Sequence, residues 1–256
     1  MSKSGFVRRF FRSAALAAVA TGTGCAAVPD DGASESASAA SRDIKGLFVI
    51  DGTGVADCAK DRGWTSNIKD LELLWQTNHH FCGNGSNLLG TNVGEIYGIV
   101  IGRICQAARA EGLGSLYLAG YSRGAIIALT IARSFYEVPT LCGPGTSVRP
   151  AWIGLMDAVD TSMDSGWARA IPRPGGIPMP NIHIVKADNG WTNTVLTTRS
   201  ILFSNEEVAQ ESTPGSGDNR RHENIDWNWR VLARLVESAR EAGAPLPPPW
   251  STKLKR

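Results

Sequence analysis

Ser115-Leu116-Tyr117-Leu118-Ala119-Gly120-Tyr121-Ser122-Arg123-Gly124-Ala125 constrains this chain more than any other stretch. An alternating apolar run reads as a strand, Gly-x-Ser-x-Gly as a sharp turn, and Ile126, Ile127, Leu129, Ile131 and Ala132 as the buried face of a helix. A serine on such a strand-to-helix turn has its hydroxyl pushed out at the top of a sheet. Gly120 and Gly124 remove side chains that would collide there. The helix N-terminus that follows favours a developing negative charge beside the serine.

The flanking chain alternates strands and helices. Gly46–Ile50 is an apolar run that ends in the loop Asp51-Gly52-Thr53-Gly54. Ser66 or Asn67 caps a helix that runs to about Thr77. Asn78 to Asn87, rich in Gly and Asn, reads as irregular. Val93 to Glu111 carries Val93, Ile96, Val100, Ile104 and Ala108 at helical spacing. After the elbow come a strand at Trp152–Met156, a Pro/Gly-rich loop at Asp164–Pro180, a strand at Asn181–Ala187 and a candidate last strand at Ile201–Phe203. A helix from Asp226 to Ala242 closes the pattern, with Ile225, Trp229, Leu232, Leu235, Val236 and Ala239 expected inward. This order predicts an α/β fold in one domain, with a mostly parallel sheet and helices on both faces, and a serine elbow in such a sheet is the arrangement of the α/β-hydrolase fold.

A neutral serine needs a base to take its proton and a carboxylate to hold that base in the right tautomer. In this fold the chain order is Ser, then Asp or Glu, then His. Of the 4 histidines, His79 and His80 precede Ser122, and His183 falls inside a predicted strand, as a packed histidine does. His222 follows the polar loop Ser204–Arg221 and just precedes the last helix, so it is the expected base. Asp157, ending the strand after the elbow helix, is the first candidate for the acid; Asp188 and Asp160 are the alternatives. The oxyanion donors expected are the Arg123 amide and one from the Gly52-Thr53 loop. No cofactor or metal is required. His79-His80-Phe81-Cys82 is a poor metal site, since adjacent side chains on an extended segment point to opposite faces.

Residues 1–25 have the basic, apolar, small-residue order of an export signal, with Arg8-Arg9 leaving both the general and twin-arginine routes open. Cys25 sits as in a lipobox, although Gly22 stands where leucine is expected, so lipidation of Cys25 and simple cleavage are both open. Residues 26–43 read as a flexible tether, 44–244 as the enzyme domain, and 245–256 as a Pro-rich tail. Destinations consistent with this are the periplasm, the cell envelope or the outside of the cell. The chain has 5 cysteines. Setting Cys25 aside leaves an even set, for which Cys58–Cys82 and Cys105–Cys142 are the expected pairs, with four free buried thiols as the alternative. A net charge of +2 without a basic stripe beyond the signal gives no support to nucleic acid as a partner.

Asp51-Gly52-Thr53-Gly54, Gly120-Tyr121-Ser122-Arg123-Gly124-Ala125, Leu155-Met156-Asp157-Ala158-Val159 and His222-Glu223-Asn224-Ile225-Asp226 together resemble a bacterial α/β-hydrolase family that includes phospholipase effectors of type VI secretion. That family carries Asp-Gly-Thr after its first strand and Gly-Phe-Ser-Arg-Gly-Ala at its elbow. The resemblance implies Ser122, Asp157 and His222 as the working set. The expected activity is hydrolysis of a carboxylic ester, small-molecule or lipid, through an acyl-enzyme, as in esterases and lipases. Trp64, Trp167 and Trp191 are candidates for lining an acyl pocket. Two other readings share the fold: an envelope protein that binds a ligand or partner without turnover, and a peptidase.

Overall fold

The computed structural model describes residues 43–53, 66–77, 79–83, 92–158, 181–186, 208–212 and 222–247. Its strands are β1 (Ile44–Ile50), β2 (His80–Gly83), β3 (Leu113–Tyr121), β4 (Arg149–Met156), β5 (Asn181–Lys186) and β6 (Val208–Ser212). Its helices are α1 (Asn67–Leu74), α2 (Val93–Glu111), α3 (Arg123–Glu137), the one-turn α4 (His222–Ile225) and α5 (Trp229–Glu241).

The strands form one sheet in the order β2-β1-β3-β4-β5-β6, and every neighbouring pair is parallel. Period-two alternation sends successive side chains to opposite faces, which explains why the central strands are apolar on both sides. Phe48, Ile50, Leu116, Leu118, Ile153 and Leu155 pack under α2 and α3. Leu47, Val49, Tyr117, Ala119, Trp152 and Met156 pack under α1 and α5. The first crossover, β1 to β2, places α1 on one face. The chain then reverses direction across the sheet and places α2 and α3 on the other, as right-handed crossovers require. The described residues thus form one α/β layer structure, a parallel sheet covered by helices on both faces, as expected from the sequence.

Helix α3 is the central helix, buried along almost its whole first half from Arg123 to Leu129. Helix α5 is amphipathic instead. It buries Val231, Leu232, Leu235, Val236 and Ala239, while Trp229, expected inward, is 47% exposed. That residue is the first of the helix and faces away from the sheet, and Val231 takes the inward place. The Trp152 indole N–H donates to Ser238 Oγ at 2.9 Å, and the Tyr117 hydroxyl donates to the Ala242 carbonyl at 2.7 Å. Burial, helped by the Asp43 charge, pushes the Tyr117 hydroxyl up to about 12, so it remains a donor at neutral pH.

Two expectations need correcting. Asn78–Asn87 is not wholly irregular, because His80–Gly83 is a parallel strand paired with β1. Four residues are too short to show a period, and glycine and asparagine around them mask the strand. The last described strand is Val208–Ser212, inside the stretch read as a polar loop. Its Val-Ala-Gln-Glu-Ser sequence lacks the apolar run expected of a parallel strand. Ile201–Phe203, the loop Asp164–Pro180, the export signal with Cys25, the tether but for Asp43, and the tail after Pro247 lie outside the described residues.

Cys105 on α2 is bonded to Cys142 after α3, as paired from the sequence. Cys82 on β2 is also disulfide-bonded, and Cys58, its expected partner, lies outside the described residues.

Candidate active site

Strand order reverses between β1 and β3, so the connections leave their C-terminal ends in opposite directions. A crevice opens at such a switch point, and ligands of open α/β sheets bind there. Asp51 directly follows the end of β1 at Ile50, and Ser122 directly follows the end of β3 at Tyr121.

Ser122 stands between β3 and α3 with φ 54° and ψ −124°. For a residue with a Cβ this conformation costs about 1–3 kcal/mol, and the surroundings must enforce it. They do so by close approach of backbone. A Cβ on Gly120 would lie 2.5 Å from the Gly124 carbonyl, and one on Gly124 would overlap the carbonyl oxygens of Ile50 and Asp51. The Ser122 amide donates to the Met156 carbonyl at 2.9 Å, which ties the turn to the end of β4. Arg123 occupies the first position of α3, so the positive end of the helix dipole lies at the serine.

Asp157 directly follows β4, with φ 37°, a left-handed conformation that Asp tolerates better than most residues. Its amide donates to the Val185 carbonyl at 2.7 Å, which fixes it against β5. His222 opens α4. Its Nδ1 lies 2.6 Å from Asp157 Oδ2 and its Nε2 lies 3.0 Å from Ser122 Oγ. A carboxylate only accepts, so Nδ1 carries the proton and Nε2 offers a lone pair to the serine hydroxyl. The Asp157 and His222 side chains are only 9% and 15% exposed, so water screens the pair little.

The structure thus brings together Ser122, His222 and Asp157. The alternative acids, Asp160 and Asp188, lie outside the described residues, as do Trp64, Trp167 and Trp191. Of the expected oxyanion loop, the Gly52 amide donates to the Asp51 carboxylate at 2.6 Å. That amide is thus held by the side chain of its own neighbour within the loop. His183 is buried in β5. His79 and His80 pair through Nδ1 with Glu111 and Glu72, at 2.6 and 2.7 Å. Among the described residues no cluster of His, Cys, Asp and Glu is arranged to hold a metal ion.

Two residues that the sequence marks only as ends of helices, Asn67 and Asp226, hold the site from outside. The Asn67 side-chain amide donates to the carbonyls of Ile225 and Asn228, at 3.0 and 2.9 Å, and its backbone N–H donates to the Asp226 carbonyl. The Ile68 amide donates to Asp226 Oδ1 at 3.2 Å. The first turn of α1, capped by Ser66 through the Lys69 amide at 3.1 Å, therefore grips the turn that follows His222. Burial and the nearby Asp51 charge, in that order, raise the Asp226 carboxyl well above the usual carboxylate range, against the hydrogen bonds from Ile68 and Ser66. Nothing local in the sequence marks this grip, since Asn67 and Asp226 are 159 positions apart.

No protein-family model and no curated protein matches this chain. Among solved structures it is similar to ClbQ from the colibactin NRPS/PKS pathway, at 11% identity over 78% of this chain and 98% of that one, with a TM-score of 0.42. It is similar also to Est1E from Butyrivibrio proteoclasticus, at 9% identity over 77% and 90%, TM-score 0.43. A cutinase-like protein from Cryptococcus sp. is similar at 14% identity over 79% and 96%, TM-score 0.43.

Proposed function

We propose that this chain is a serine hydrolase that cleaves a carboxylic ester, in the manner of esterases and lipases. The observation that carries the reading is the bridge made by His222, 2.6 Å from Asp157 and 3.0 Å from Ser122, at an elbow whose serine is held in a strained conformation. In this reading Ser122 Oγ attacks the ester carbonyl as its proton passes to His222 Nε2. Asp157 holds the imidazole by Nδ1 and balances the charge the ring takes up. The Arg123 amide and one from the Gly52-Thr53 loop steady the oxyanion, the alcohol leaves with the proton from His222, and water, activated by the same imidazole, releases the acid. The four sequence islands that resemble the bacterial family including type VI secretion phospholipase effectors favour the same chemistry and leave the ester unspecified.

The protein is further read as exported, with Cys25 either lipid-anchored to the envelope or removed with the signal. The disulfide between Cys105 and Cys142, and the bonded state of Cys82, support an oxidising compartment.

The test is a panel of p-nitrophenyl esters of graded chain length beside peptide anilides, with wild type and Ser122→Ala. Ester turnover that Ser122→Ala loses is the expected result. Anilide turnover alone would point to a peptidase, and turnover of neither by folded protein would favour the binding protein.

A further inference from the structure

Tyr121, the residue before the serine, lies against both His222 and the loop at Gly52. Its hydroxyl donates to the His222 carbonyl at 2.7 Å. Its ring lies over the His222 imidazole, with centroids 5.2 Å apart and planes inclined by 28°. It also packs against Gly52, where a Cβ would lie 2.5 and 2.7 Å from Tyr121 Cδ1 and Cε1. Tyr121 also stands in β3, paired with Met156, which directly precedes Asp157.

We propose that Tyr121 is a positioning residue, a rigid strut that holds His222 against Ser122 and sets the Asp51–Thr53 loop at the distance the oxyanion needs. The proposal rests on the serine-hydrolase reading. His222 begins a helix of one turn and comes from a segment far along the chain, so its backbone needs an anchor on the sheet. Asn67 supplies one three to six residues after His222. Tyr121 supplies the one at His222 itself, from the strand that delivers the nucleophile. A rigid ring with two torsions does this at small entropic cost. The ring face also meets the imidazole where positive charge develops during proton transfer, and an aromatic face attracts a cation. Gly52 belongs to the same device, because only a residue without Cβ lets the loop close on the ring.

The test compares Tyr121→Phe and Tyr121→Leu with wild type. Tyr121→Phe keeps the stack and loses the anchor, and should lower kcat roughly tenfold, the equivalent of one hydrogen bond. KM should stay within about twofold and the melting temperature within about 5 °C, since packing is kept. Tyr121→Leu loses both contacts and should lower kcat by a further factor of roughly ten, the order expected when a misplaced group costs about a hundredfold. A second readout needs no turnover: the solvent exchange of the His222 Nδ1 proton, followed by NMR, should quicken in Tyr121→Phe. Unchanged kcat and exchange in Tyr121→Phe would overturn the proposal. So would a fall in kcat accounted for by unfolded protein, or matched by a rise in KM. If the wild type hydrolyses no ester, the serine-hydrolase reading has failed, and the exchange measurement still decides whether Tyr121 holds His222.

Discussion

Replacing Asp157 by Asn removes one charge and keeps the size of the side chain. The carboxylate accepts from Nδ1 at 2.6 Å in a place almost closed to water. An asparagine amide can face the ring in two ways. With its oxygen towards Nδ1 the tautomer survives, and only the charge opposite the forming imidazolium is lost, a charge-assisted bond worth roughly 1.5–3 kcal/mol. With its nitrogen towards Nδ1 the ring proton moves to Nε2, which then points a hydrogen at Ser122 Oγ and cannot take one. That wrong tautomer costs about 10⁴ in turnover where it has been measured in serine proteases. Asp157→Asn should therefore lower kcat by between roughly 10-fold and 10⁴-fold, or about 1.5–5.5 kcal/mol of barrier. Initial rates on the best p-nitrophenyl ester, with near-ultraviolet circular dichroism to establish folding, measure it. Asp188→Asn and Asp160→Asn should keep wild-type rates. A folded Asp157→Asn within tenfold of wild type would refute the reasoning, and an inactive Asp188→Asn beside it would transfer the role of the acid.

Removing the Cys105–Cys142 bond by a double change to Ala frees a loop spanning 37 residues, which corresponds to about 4 kcal/mol. In a domain of this size the melting temperature should fall by roughly 8–16 °C, and a fall under about 3 °C in a thermal melt would contradict the estimate. Asp226 bears on pH dependence. Its folded carboxyl holds a proton more tightly than the unfolded one, so its stabilising contribution is full below the unfolded value near 3.8 and is lost as pH rises through the raised folded value. The stability of Asp226→Asn relative to wild type should therefore rise with pH from about 4 upward, and denaturant titrations showing a flat difference from pH 4 to 8 would contradict this.

Much of the site is legible in the chain because its parts are local. The elbow is written in eleven consecutive residues, and α2 spans Val93–Glu111 as its apolar spacing predicts. His222 and Asp157 are legible from chain order, since each falls where an element of this fold ends or begins. The rest depends on contacts made at long range. β2 is a strand because β1 offers it a parallel edge, whatever its own sequence prefers. Trp229 looks apolar in sequence, yet it sits on the first, outward position of α5. The Gly52 amide donates to the side chain of its own neighbour, Asp51, a bond that no sequence pattern marks. Tyr121 and Asn67 escape notice because what each does depends on a segment more than 100 positions away.

The most direct measurement is fluorophosphonate labelling of the folded mature protein beside Ser122→Ala, with the adduct located by mass spectrometry. One adduct is expected, on Ser122, and none on the variant. Folded protein that takes no adduct at Ser122, with detergent and without it, would contradict an activated serine.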